Sequence, residues 1–109
     1  MRKHLSEQLR LAELDYNACD DNASRLEEGR SILMATMKLN LVEAKVAKSM
    51  AAAEDHARAS DEWKGYVRKM HDARRKANDA KAELKKLERD YFAAVADERS
   101  EQNQVRYLR

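Results

Sequence analysis

Three histidines, one cysteine and a cluster of cations are the residues of this 109-residue chain from which chemistry would be built. His4, His56 and His71 lie far apart, and none stands in a His-Glu-x-x-His or comparable zinc-binding spacing. Cys19 is the single cysteine. It supplies no ligand cluster and has no internal disulfide partner, which suits a reducing compartment. Gly29 and Gly65 are the only glycines, so no glycine-rich loop is present to cradle a phosphate. The 20 carboxylates are scattered through helical pattern, where they read as solvated faces. The residue types therefore predict no catalysis, no metal and no cofactor.

The cations offer a different chemistry. Residues 29–76 hold 11 Lys/Arg against 6 Asp/Glu, a net of +5, while the rest of the chain is net −3. Arg68, Lys69, Arg74, Arg75 and Lys76 form the centre of that excess. Phosphate contacts use such residues and need no base recognition. Arg68 and Arg75 are seven residues apart and share a helical face, whereas Arg74 and Lys76 diverge. No helix-turn-helix or zinc-finger pattern accompanies them, and the same residues are ordinary solvated helix formers. These five are the candidate nucleic-acid contacts.

What must position these residues is helical. There is no Pro, aromatics are 6% and charged residues 39%, which fits long helices with narrow apolar seams. From Leu5, alternating steps of four and three reach Leu9, Ala12, Tyr16, Cys19, Ala23, Leu26, Arg30, Leu33 and Met37, all apolar or aromatic except Arg30. Such a stripe lies on one side of a helix and favours lengthwise packing. The Gly29-Arg30 pair marks a bend or an opening in it. A second series runs from Trp63 through Tyr66, Met70, Ala73, Ala77, Ala80, Leu84, Leu87 and Tyr91 to Ala94, then meets Glu98 and Glu101. Trp63, Tyr66, Tyr16 and Tyr91 are thus core candidates, while Phe92 and Tyr107 are candidates for an outside contact.

The expected organisation is a single all-α domain over residues 1–109. A long helix occupies about 5–46, a short helix or connector 49–59, a second long helix 61–97 and a polar extension 98–109. Ser49 is placed to cap the connector, and Ser60 or Asp61 the second long helix. The fold class predicted is a long antiparallel helical hairpin, coiled-coil-like, with a short helical connector. A reversal near residue 53 sets Leu33 near Ala73, Leu26 near Ala80 and Ala23 near Leu84, large residues opposing small. It also brings Lys81, Lys85 and Lys86 near Asp20 and Asp21. Residues 1–57 are net −2 and residues 58–109 net +4, as an acidic helix lying along a basic one requires.

The hairpin leaves a surplus. Ile32, Met34, Leu39, Leu41, Val42, Val46 and Met50 occupy too much of the helix circumference to face one partner. Monomers seldom expose large contiguous apolar patches. Either the connector covers them as a third helix, or a second protein does. They form the candidate surface for a protein partner or for self-association into a dimeric helical bundle. No stretch approaches the length of an apolar membrane span and no cleavable leader is evident, so a cytoplasmic protein with no membrane contact is expected.

The stretch Asn22-Ala-Ser-Arg-Leu-Glu-Glu-Gly-Arg-Ser-Ile-Leu33, with Asp61-Glu-Trp-Lys-Gly-Tyr-Val-Arg-Lys-Met-His-Asp-Ala-Arg-Arg-Lys-Ala-Asn-Asp-Ala-Lys-Ala-Glu-Leu84, resembles small helical proteins of tailed phages and prophages. The resemblance covers about two-thirds of the chain and is one of helical texture. It implies an accessory binder or inhibitor of DNA recombination or host defence machinery, acting in a bacterial cytoplasm, and assigns no functional residue. Three readings stand: a protein-binding accessory factor, a direct nucleic-acid binder using the basic connector end, and a structural coiled-coil module.

Overall fold

The computed structural model describes the backbone of residues 2–108 and the side chains of residues 3–105. Three helices follow in order: α1 (Arg2–Glu43), α2 (Met50–Ala59) and α3 (Asp61–Leu108). Among the described residues there is no strand. The chain runs out along α1, turns at residues 44–49 and returns in two pieces, α2 and then α3, both packed on α1. The result is a rod 87 Å long and 16 Å in each of the other two directions. It is an antiparallel helical hairpin with a short helical connector.

The two stripes make the seam. Every member of the Leu5–Met37 series except Arg30 is buried or half-buried, as is every member of the Trp63–Ala94 series. Among the described residues, six of the eight buried apolar ones are alanines: Ala23, Ala47, Ala53, Ala57, Ala73 and Ala77; Met34 and Met70 complete the set. Small residues let the helix backbones approach closely, and one side chain exploits this directly. The Tyr66 hydroxyl donates across the seam to the Leu26 carbonyl. It stands only 2.7 Å from where a Cβ on Gly29 would be. Helix α1 passes through Gly29 without interruption, so the glycine marks an opening in the seam and not a break.

The register differs from the one expected. Ala23 packs with Ala73 and Ala77, not with Leu84, and Leu26 joins that cluster instead of reaching Ala80. Asp20 is met by Arg74, not by Lys81, Lys85 or Lys86. The shift is about one heptad, and its cause is the turn. Helix α1 ends at Glu43, short of residue 46, because Lys45 adopts a left-handed backbone with φ 60°. The Val46 amide then donates to the Leu41 carbonyl and the Lys45 amide to that of Val42. This is the paired closure that ends helices, usually with glycine at the left-handed position. The chain therefore reverses before α2, not near residue 53.

Serines fix the connector. Ser49 caps α2, its Oγ accepting from the Ala52 amide at 3.1 Å. Ser60 serves two helices at once. Its Oγ donates to the Ala57 carbonyl at 2.6 Å and accepts from the Trp63 amide at 3.2 Å, ending α2 and starting α3. Ala53 and Ala57 are fully buried, so α2 covers part of the surplus apolar surface as a third helix.

Helix α3 continues to Leu108 instead of weakening at residue 97. Extending the observed register sets the first turn of α1 near Ala94–Asp97. At that end the series meets Glu98, which is half-buried, and Glu101, which is exposed.

Candidate functional site

Four places on the rod bring functional side chains together. The first is a charged clamp across the seam. Arg74 grips Glu27 in two-pronged fashion, Nε to Oε2 at 3.0 Å and Nη2 to Oε1 at 2.6 Å. Its Nη1 reaches Asp20 Oδ1 at 2.8 Å, and Nη2 reaches Ser24 Oγ at 3.4 Å. Planar guanidinium suits this two-oxygen geometry. The bond from Arg74 holds the Glu27 carboxyl below its ordinary range, and the two carboxylates push the Arg74 guanidinium further up. Both groups stay charged at neutral pH. The clamp locks register and has no proton to exchange. Arg74 is thereby directed into the hairpin, apart from the other cations of the basic cluster.

The second place is where those cations lie. Arg68, Lys69, Arg75 and Lys76 are all exposed. Arg75 pairs with Asp72 on its own helix. Lys69, Arg75 and Lys76 border an open groove of about 400 Å³ whose walls also carry Asp72 and Asp79. The carboxylates dilute the positive field that a phosphate backbone requires.

The third place is the junction of the three helices. Arg30, Arg58, Trp63 and His71 surround a half-open groove of about 430 Å³ with Met34 and Met70 at its base. Arg58 is paired with Glu54 at 2.9 Å, and Trp63 stacks with Tyr66 at 6.4 Å between ring centres. Met34 is only 8% exposed. It belongs to the intramolecular core and not to the outward surface expected for it.

The fourth place is the outer face of α1. Ile32 is 69% exposed and Leu39 52%, and Val46 and Met50 are exposed in the turn and the start of α2. Leu41 and Val42 are half-buried. Two residues outside the expected surface join them, Leu11 at 52% and Leu14 at 56%. All four large apolar residues exposed within α1 fall on one 3–4 series: Leu11, Leu14, Ala18, Asp21, Arg25, Glu28, Ile32, Ala35, Leu39, Val42. Heptad geometry places this series on the side of α1 away from the seam. The same stepping count, begun at Leu11, finds it in the sequence.

The remaining candidates are dispersed. Cys19 is half-buried beside Ala23, its Sγ toward Asp15 Oδ1 at 3.8 Å. His4, His56 and His71 are exposed on α1, α2 and α3. Among the described residues, no group of three or more His, Cys, Asp or Glu is placed to hold a metal ion. No described helix is long and apolar enough to cross a membrane. Phe92 is 66% exposed and meets Tyr91 edge-on at 5.7 Å; the Tyr107 side chain lies outside the described residues. No protein-family model, no curated protein and no solved structure matches the chain.

Proposed function

We propose that this chain is a non-catalytic binding protein whose working surface is the outer face of α1, engaged by protein and not by nucleic acid. The observation that carries the reading is an inversion of burial. Among the described residues no large side chain is fully buried, while Leu11, Leu14, Ile32 and Leu39 stand more than half exposed along one helix face. A helix that presents apolar stripes on two opposite sides is built to sit between two neighbours, and α3 with α2 supplies only one. Ile32, Leu39 and Val42 of the expected surplus lie on this face, and self-association is expected there as well. The phage-like texture of the sequence suggests an accessory role toward DNA-processing or defence machinery in a bacterial cytoplasm.

Direct nucleic-acid binding is the second reading, favoured by the exposed Arg68, Lys69, Arg75 and Lys76. It is weakened by the engagement of Arg74 with Glu27 and Asp20 and by the carboxylates beside the groove. Capture from a bacterial lysate with nuclease present, followed by mass spectrometry, separates the two. The wild-type chain should retain a protein partner in moderate salt, and Leu14→Glu with Leu39→Glu should lose it. Capture that disappears with nuclease or with modest salt, and is restored in neither case by added protein, would refute protein binding in favour of phosphate contact.

A further inference from the structure

The geometry points to a second copy of this chain as an occupant of the outer α1 face, seated antiparallel across a two-fold axis near residues 26 and 27. The inference rests on the reading of that face as the working surface and adds its partner, orientation and register. The face is apolar at both ends and charged in the middle, where Asp21, Arg25 and Glu28 interrupt it. A two-fold contact requires a surface that complements its own reversal. This one does. In antiparallel helix pairs, alternate stripe positions face each other. One register then sets Leu11 on the partner's Val42 and Leu14 on the partner's Leu39. Ala18 meets the partner's Ala35, which allows close approach at the layer between.

The charged middle also closes in that register. Arg25 faces the partner's Glu28, and symmetry makes the pair twice. The one kind of mismatch, also made twice, is Ile32 against the partner's Asp21, a carboxylate that Arg25 of its own helix meets at 3.0 Å. The heptad shift in one direction buries Glu28 against alanine, and the shift in the other sets Arg25 against alanine. Charge along the helix selects the orientation. Residues 1–28 hold 4 Lys/Arg and 7 Asp/Glu, net −3, while residues 29–48 hold 4 and 1, net +3. An antiparallel pair lays each acidic segment on a basic one; a parallel pair lays like on like.

The contact from Leu11 to Val42 is about 47 Å long at about 1.5 Å per residue. A strip about 10 Å wide on each copy buries roughly 900 Å² in all, below the range of stable interfaces and within that of weak, transient ones. The pair is therefore concentration-dependent, dissociating at low micromolar chain, and its helices lie side by side in the order α3, α1, α1, α3.

Sedimentation equilibrium from low micromolar to near-millimolar chain tests this. The wild type should move from one to two chain masses. Arg25→Glu and Glu28→Arg, each alone, place like charges at both cross-pairs and should weaken association roughly tenfold or more. An equimolar mixture of the two variants rebuilds both pairs with opposite charges and should recover association near the wild-type level. All these positions are exposed, so circular dichroism should show unchanged helix content. A folded wild-type monomer throughout the range overturns the dimer while leaving capture of another protein by the same face intact. Association in which mixing restores nothing overturns the register and orientation. Dimers that persist in Leu14→Glu with Leu39→Glu overturn the face itself, and the binding reading with it.

Discussion

Gly29 and Gly65 sit in the two long helices, and replacing each by alanine should have opposite meanings. Alanine is favoured over glycine inside a helix by about 0.8–1.0 kcal/mol. A Cβ at Gly65 meets no atom within 4 Å, so Gly65→Ala should gain about 1 kcal/mol in full. A Cβ at Gly29 would stand 2.7 Å from the Tyr66 hydroxyl oxygen, closer than real contacts allow. The oxygen ends a long side chain, so the ring moves aside and the bond to the Leu26 carbonyl is lost. Such a bond contributes about 0.5–1.5 kcal/mol net. Gain and loss are of one size, and Gly29→Ala should change stability by less than about 0.5 kcal/mol. Removing the hydroxyl separates the terms. In Tyr66→Phe the nearest remaining ring atom is 3.9 Å from the new Cβ, an ordinary contact. There Gly29→Ala should stabilise by about 1 kcal/mol, giving a coupling of about 1 kcal/mol in the double-mutant cycle. Urea unfolding followed by far-ultraviolet circular dichroism measures it, at one fixed chain concentration because association adds to apparent stability. A Gly29→Ala gain equal to that at Gly65, with no coupling to Tyr66→Phe, would refute the packing of the hydroxyl over Gly29.

Two further outcomes follow from the turn and the clamp. Lys45→Gly should stabilise by about 1 kcal/mol in the same assay, because glycine occupies the left-handed conformation without the Cβ clash that lysine carries; a loss would mean that the turn does not hold φ positive in solution. The Glu27 carboxyl, held low by Arg74, contributes stability that is complete above the ordinary value of 4.5 and disappears as pH falls through its folded value. Melting temperatures of wild type and Arg74→Met should therefore differ most near neutrality and converge as pH drops below 4.5, while a gap independent of pH would remove the clamp from the account.

Periodicity was enough to read the seam, because burial on a long helix repeats every three and four residues and the apolar positions repeat with it. Each apolar or aromatic member of the two series through Ala94 is at least half-buried, and the one polar member, Arg30, is exposed beside the glycine that admits Tyr66. Register was not legible, because it depends on where the chain turns. No glycine marks that place; Lys45 takes the left-handed conformation without the residue type that announces it. The role of Arg74 was hidden for the same reason, since only the true register sets it beside Glu27 and Asp20. Met34 lies between the two stripes of α1 and goes to the core because α2 and α3 converge there, a tertiary fact with no local signature. Leu11 and Leu14 were legible by their spacing, but in isolation two exposed leucines are unremarkable.

The buried residues are unevenly distributed along the rod. All eight lie between Ala23 and Ala77, on the connector side, and the half-buried pairs from Leu5 to Tyr16 and from Leu84 to Ala94 close the other end alone. Opening free energies follow local burial, so amide protection should decline from the turn outward and the open end should breathe while the connector end stays shut. The rod thus has a stiff half and a pliant half. In the antiparallel pair, Leu11 and Leu14 of each pliant half rest on Leu39 and Val42 of the partner's stiff half. Association then acts as a splint, stiffening each chain where its own core is thinnest, and the ordering of the open end becomes part of the cost and the selectivity of binding.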